Sequence, residues 1–249
     1  MVSVQQVYET LKDLANKDQK GFITPAVFNN FAGVAQINIY NELFQELVKA
    51  KQIQRQNFDP GRDKSVRKQA TEDLSVFIVS DLEITSEDTI FLKPVNLSKI
   101  ISISTSESNR AGVDYVSGRY TRHQVELVYD AEKIDRILTS NLSTPTEDFP
   151  VALIAQDIEV FPSGIDAIRV TYYRRPGSID INGDATNAQP AYASVLLMGS
   201  EQFNANSSLN FMLPPHYTTE LVMEMAKLIG VRLRDPNLTG FAAQEEASE

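Results

Sequence analysis

Residues 24–51 read TPAVFNNFAGVAQINIYNELFQELVKAK, and the pattern within them decides the fold. Thr24 is a helix-capping residue type, Pro25 suits the first helical position, and Ala26-Val27-Phe28-Asn29-Asn30-Phe31-Ala32 continues with helical spacing. On a wheel at about 100° per residue, Val27, Phe28, Phe31, Val34, Ile37, Ile39, Tyr40, Leu43, Phe44, Leu47 and Val48 spread around the whole circumference. The polar positions up to Gln45 are Asn29, Asn30, Gln36, Asn38, Asn41 and Gln45, all uncharged, and Glu42. A helix without a solvated stripe is expected to meet protein on both sides, either as the core helix of one large domain or between subunits.

On the N-terminal side, Val4, Val7, Tyr8, Leu11, Leu14 and Ala15 form a helical stripe closed by Asn16 and a turn at Lys20-Gly21. It is expected to pair with the long helix as an antiparallel hairpin. On the C-terminal side, Asp59-Pro60-Gly61 signals a turn, and Arg62 to Ala70 reads as one more short helix. Lys49, Lys51, Arg55, Arg62, Lys64, Arg67 and Lys68 share residues 49–70 with only Asp59 and Asp63. Such a basic run suits a solvated helix face or an anionic partner surface.

From Leu74 the period shortens. Runs at Val76–Val79, Thr89–Leu92, Ile100–Ser104, Val125–Tyr129, Val151–Ile154, Ile158–Phe161 and Ala167–Tyr173 read as strands, too closely spaced for repeated parallel crossovers. Asp130 can cap a short helix through Leu138. Pro176 to Pro190 reads as a long polar loop, mobile or ordered only against a partner, ahead of the apolar run Val195–Met198. Thr218 to Val231 forms an amphipathic helix ended by Gly230. The expected fold is α+β: a helical region over 1–72, a mainly antiparallel β domain over 73–213, a C-terminal helix over 214–240 returning to the helices, and a disordered tail over 241–249.

The balance of 23 Lys and Arg against 33 Asp and Glu gives a net charge of -10, which argues against general affinity for nucleic acid or anionic lipid. There are no cysteines, so thiolate metal sites and cysteine nucleophiles are excluded. No stretch has eighteen consecutive apolar residues, and neither export nor membrane spanning is expected.

No catalytic constellation is legible. His123 and His216 stand alone in sequence, without companions at metal-ligand or triad spacing. Asp180, Asn182 and Asp184 imitate the start of a calcium loop, but Ala185 and Ala191 occupy the positions that need Gly and Glu, so an Asx-rich turn is the better account. Adjacent carboxylates, such as Glu72-Asp73 and Glu147-Asp148, diverge on regular elements and read as solvated charges. Arg169, Arg174 and Arg175 alternate with Tyr172 and Tyr173, which suits a strand with one buried face better than a base-stacking platform. No cofactor, metal or catalytic residue is expected. The other functions kept open are a hydrolase using carboxylates from distant segments and a nucleic-acid-binding accessory protein.

Three segments carry a family likeness: Val7-Tyr8 to Asn16-Lys17 with Gly21-Phe22-Ile23-Thr24-Pro25 and Phe28-Asn29; Ile158-Glu159-Val160-Phe161-Pro162 through Ile168 to Pro176; and Glu220-Leu221-Val222 through Ile229 to Pro236. The chain resembles the ring or head-to-tail connector (adaptor) subunits of crAss-like short-tailed bacteriophages. The resemblance implies a non-enzymatic virion protein that forms a homo-oligomeric ring, with twelve copies expected, and binds the portal and other tail ring proteins. DNA would pass through a central channel without specific binding. The expected protein-interface residues are Phe28, Phe31, Tyr40 and Phe44 on the long helix, and Arg55, Arg62, Lys64, Arg67 and Lys68 toward an acidic neighbour.

Overall fold

A computed structural model describes residues 1–17, 23–56, 63–86, 90–105, 123–197 and 200–233. Three helices open the chain, α1 (Val4–Lys17), α2 (Pro25–Gln56) and α3 (Asp63–Leu74), followed by a 3-10 turn at Ser75–Phe77. Next come β1 (Ile78–Thr85), β2 (Ile90–Phe91), β3 (Leu97–Thr105), β4 (Glu126–Val128), α4 (Ala131–Thr139), β5 (Val151–Ile154), β6 (Ile158–Phe161) and β7 (Ala167–Arg174). Short strands β8 (Ser178–Ile179), β9 (Ala185–Thr186), β10 (Ser194–Leu197), β11 (Ser200–Phe203) and β12 (Asn210–Phe211) precede a second 3-10 turn, Pro215–Tyr217, and α5 (Thr218–Leu233). The fold is α+β with mainly antiparallel sheets, as the alternation of periods predicts. Among the described residues no helix is long and apolar enough to cross a membrane.

The chain forms two compact units, one built from Met1–Phe77 with Pro176–Glu249 and the other from Ile78–Arg175. The strand-rich span 73–213 therefore divides, and its last part belongs with the helices. In the first unit Thr24 caps α2, its hydroxyl accepting from the Val27 amide at 3.3 Å. α2 packs on α3 and α5, which returns to the helices as expected. The expected α1–α2 hairpin is replaced by packing of α1 mainly on α5. α1 meets α2 through Tyr8, whose ring lies edge-on to Phe28 at 5.3 Å and stacks on Tyr192 at 4.0 Å. Tyr192 takes space that a hairpin partner would otherwise fill. Gly230 does not end the last helix but lies buried within it.

The stretch read as a long polar loop is folded onto this unit. β8 pairs with β9 and β12, and Val2 adds to β12 through hydrogen bonds with Phe211 and Leu213. Its order comes from the chain's own α2. Gln36, wholly buried, donates to the Gly177 carbonyl at 2.7 Å and accepts from the Met212 amide at 2.7 Å. About two turns earlier, Asn29 grips both backbone groups of Tyr192, donating at 3.1 Å and accepting at 2.8 Å.

The second unit is a two-sheet sandwich with a helix on its back. The sheet β1-β7-β3 faces the sheet β2-β6-β5-β4. Ile168, Val170 and Tyr172 from the first meet Phe91, Ala152, Ile158 and Val160 from the second. This alternation along β7 turns Tyr172 inward and Arg169 outward, while Arg174 falls on an inward position and is itself buried. Arg169 points outward and pairs with Glu83 at 3.1 Å, while the Tyr172 hydroxyl donates to Asn96 at 2.8 Å. β4 and β5 are parallel and joined by α4, which covers the outer face through Ile134 against Val128 and Val151. Asp130 caps α4, accepting from the Glu132 amide at 3.0 Å.

Candidate functional site

Three of the four aromatic side chains expected at an interface, Phe28, Tyr40 and Phe44, are buried in the chain's own core. Phe28 is buried among Tyr8, Tyr192 and Phe211, and Tyr40 packs edge-on to Phe44 at 4.8 Å and Phe77 at 4.9 Å. Phe31 is half-buried. Their wheel positions pointed to contact with protein, and here that protein is intramolecular. Of the basic candidates, Lys68 is exposed and forms an i,i+4 pair with Glu72 at 3.5 Å. Arg55 lies on α2 and Lys64 and Arg67 on α3, with side chains outside the described residues, as is Arg62 altogether.

The wheel reading of α2 also changes. One face is open, and it repeats every eleven residues: Ala26, Ile37 and Val48; Asn30 and Asn41; Val34 and Gln45. These positions span about 100° of the helix surface. Val34, Ile37 and Val48 retain 45%, 39% and 49% of their accessible surface. Asn38, at the border, donates to Glu224 of α5 at 2.6 Å. The stripe is uncharged, so the sequence shows no polar face even though a solvent-facing one exists.

A second apolar surface lies on the turn between α4 and β5, where sequence reading placed no site. The Ser140 hydroxyl accepts from the Leu142 and Ser143 amides, both at 3.3 Å, and the Thr144 hydroxyl donates to the Ser140 carbonyl at 2.6 Å. Thr146 and Phe149 exchange backbone hydrogen bonds, with Pro145 and Pro150 buried on either side. The turn is thus tied down by its own groups while Leu142 is 99% and Phe149 78% exposed. Two large apolar residues set singly among polar loop residues were the available signal.

The lone histidines acquire partners from distant segments. His216 Nε2 stands 3.1 Å from Asp73 Oδ1, and the Tyr217 hydroxyl donates to Asp73 Oδ2 at 2.9 Å. Asp73 is buried, not the solvated charge its neighbour Glu72 suggests. Burial, with the adjacent Asp73, raises the Tyr217 pKa above its ordinary value. This arrangement ties α3 to the start of α5. His123 Nε2 lies 3.7 Å from the exposed Asp148. The calcium-like triplet is an Asx turn, as expected: Asp180 Oδ1 accepts from the Asn182 amide at 2.9 Å and the Asp184 amide at 2.7 Å, with Gly183 at φ 88°. Among the described residues no group of three or more His, Asp or Glu side chains could hold a metal.

No protein-family model matches the sequence, and no curated protein matches it.

Proposed function

We propose that the chain is a structural subunit of a bacteriophage virion, of the ring or connector type, which contacts the portal and neighbouring tail rings around a channel for the genome. The observation that carries this reading is the tied turn at residues 140–150. It keeps Leu142 and Phe149 in water on a backbone fixed by its own hydrogen bonds. A docking element held in its bound shape avoids the ordering cost that a free loop meets on association. The resemblance in the opening, central and closing segments supplies the kind of assembly. The net charge of -10 fits a channel wall that lets DNA pass, because a basic wall would gain counterion-release affinity and slow it.

Quantitative mass spectrometry of purified particles tests the proposal. About a dozen copies per particle are expected for a symmetric ring. Absence from particles overturns it. Within an assembling system, Leu142→Asp with Phe149→Asp should leave the free protein folded and deplete it from particles at least tenfold; wild-type incorporation would reject the turn as the docking element.

A further inference from the structure

We infer that Asn182 is this chain's site of spontaneous deamidation and that Asp180 sets its rate. Asn182-Gly183 is the only Asn-Gly pair in the sequence, and it lies in the exposed turn between β8 and β9. In such a pair the glycine nitrogen can reach the asparagine side-chain carbonyl carbon with no Cβ in the way. At Gly183 nothing stands within 4 Å of where a Cβ would be, so the surrounding fold does not block the approach either. Asn206-Ser207 is also exposed, but there a serine side chain crowds the corresponding nitrogen. In the reaction the Gly183 nitrogen bonds to Asn182 Cγ, the Cγ–Nδ2 bond breaks, and ammonia leaves with the Gly183 amide proton. Water then opens the cyclic imide at either carbonyl, giving aspartate or isoaspartate at position 182.

Asp180 holds the groups that must move. Its carbonyl accepts from the Gly183 amide at 3.2 Å, so the attacking nitrogen is engaged. Its Oδ1 accepts from the Asn182 amide at 2.9 Å and the Asp184 amide at 2.7 Å, which fixes the backbone on both sides of the pair. Its Oδ2 accepts from the Asn182 side-chain amide at 3.4 Å, a weaker hold on the leaving group. Cyclisation therefore waits for the turn to open, and its rate follows the population of the open turn. The change runs one way. A carboxylate at position 182 faces Asp180 Oδ2 where an amide donor stood, and the like charges keep the turn from closing again.

The inference does not rest on the virion reading and is tested on the purified full chain without any particle. Aged in mildly alkaline buffer, the folded chain should yield aspartate and isoaspartate at position 182, read by peptide mapping with mass spectrometry, before any other asparagine reacts. Asp180→Ala, with an unchanged far-ultraviolet circular dichroism spectrum, should react about tenfold faster, because two ordinary hydrogen bonds to backbone amides are lost. Asp180→Asn keeps an acceptor for them and should stay near the wild-type rate. In urea the wild-type chain and Asp180→Ala should react at one common, faster rate, and Asn182→Gln should remove the signal. A different asparagine reacting first in the folded chain would overturn the site. Equal folded rates for wild type and Asp180→Ala would overturn the role of Asp180. If that variant does not fold, a wild-type chain that reacts as fast folded as in urea would overturn it equally.

Discussion

Gln36 spans two backbone groups that no apolar side chain could satisfy. In Gln36→Leu the Gly177 carbonyl and the Met212 amide would lose their partners at a fully buried position, so unfolding free energy should fall by about 3 kcal/mol. The exposed Gln45→Leu on the same helix should stay within about 0.5 kcal/mol of wild type. Urea denaturation of both variants separates the roles, and equal midpoints would show that Gln36 carries no such burden. Tyr8 makes a second prediction. Burial, with Glu201 and Tyr192 nearby, pushes its hydroxyl up to about 12 from the ordinary 10.0. The unfolded chain therefore loses this proton first. The stability contributed by neutral Tyr8 is complete below pH 10 and is lost as pH rises from 10 to about 12. Tyr172, Tyr173, Tyr192 and Tyr217 are shifted the same way and deepen the loss. Tyr8→Phe should cost about 1 kcal/mol at neutral pH through its lost hydrogen bond to the Ile23 carbonyl, yet flatten the alkaline decline. Urea midpoints at about pH 8 and about pH 11 test this, and parallel declines would reject it. The uncharged residues of α2 were plain in the sequence, but their partners were not. Gln36 reaches groups 141 and 176 positions away, beyond any local pattern.

Where an element is set by its neighbours in sequence, it was legible. Thr24 and Asp130 cap their helices as read, and β5 and β6 begin and end where the apolar alternation does, because caps and period are local causes. The β8–β9 hairpin was not legible. Its strands are two residues each, too short for a period, and are held by Gln36 and by close backbone approach. At Gly177 a methyl group would overlap the Thr186 carbonyl, part of the backbone that cannot swing aside as a side chain would. Gly177→Ala should force the two strands apart and cost about 1–3 kcal/mol, whereas a methyl at Gly164 meets nothing and should cost far less. Thermal denaturation of the pair measures the difference, and equal melting temperatures would sink the packing argument. Asp73 likewise joins α3 to the turn before α5. Asp73→Ala would strand the Tyr217 hydroxyl and lower stability by about 2 kcal/mol, while Asp73→Asn keeps an acceptor and should lose less.

At the scale of the molecule, the two units differ in how the chain enters them. The helical unit is discontinuous, made of Met1–Phe77 and Pro176–Glu249, while Ile78–Arg175 is a single stretch. That stretch begins on β1 and ends just after β7, and these are paired neighbours, with Ile78 opposite Tyr173. Its two ends therefore lie side by side, the geometry in which a domain is inserted into another without stretching either. The sequence marked the first boundary through the change of period near residue 74, but the second was hidden, because strands continue past Arg175 while the surface that buries them changes. Strand period reports that one face is buried and is silent on what buries it. The sandwich has its own closed core, in which Ile103, Ile158, Ile168 and Val170 are fully buried. Residues 78–175 expressed alone should consequently fold cooperatively. The remaining chain, with Phe77 joined to Pro176 through a short Gly/Ser linker, should keep the helical signal of α1, α2, α3 and α5. Dispersed amide resonances and a sigmoidal urea transition from each piece are the expected results. A collapsed spectrum from residues 78–175 would mean that the sandwich depends on the helices, and the inserted-domain description would fail.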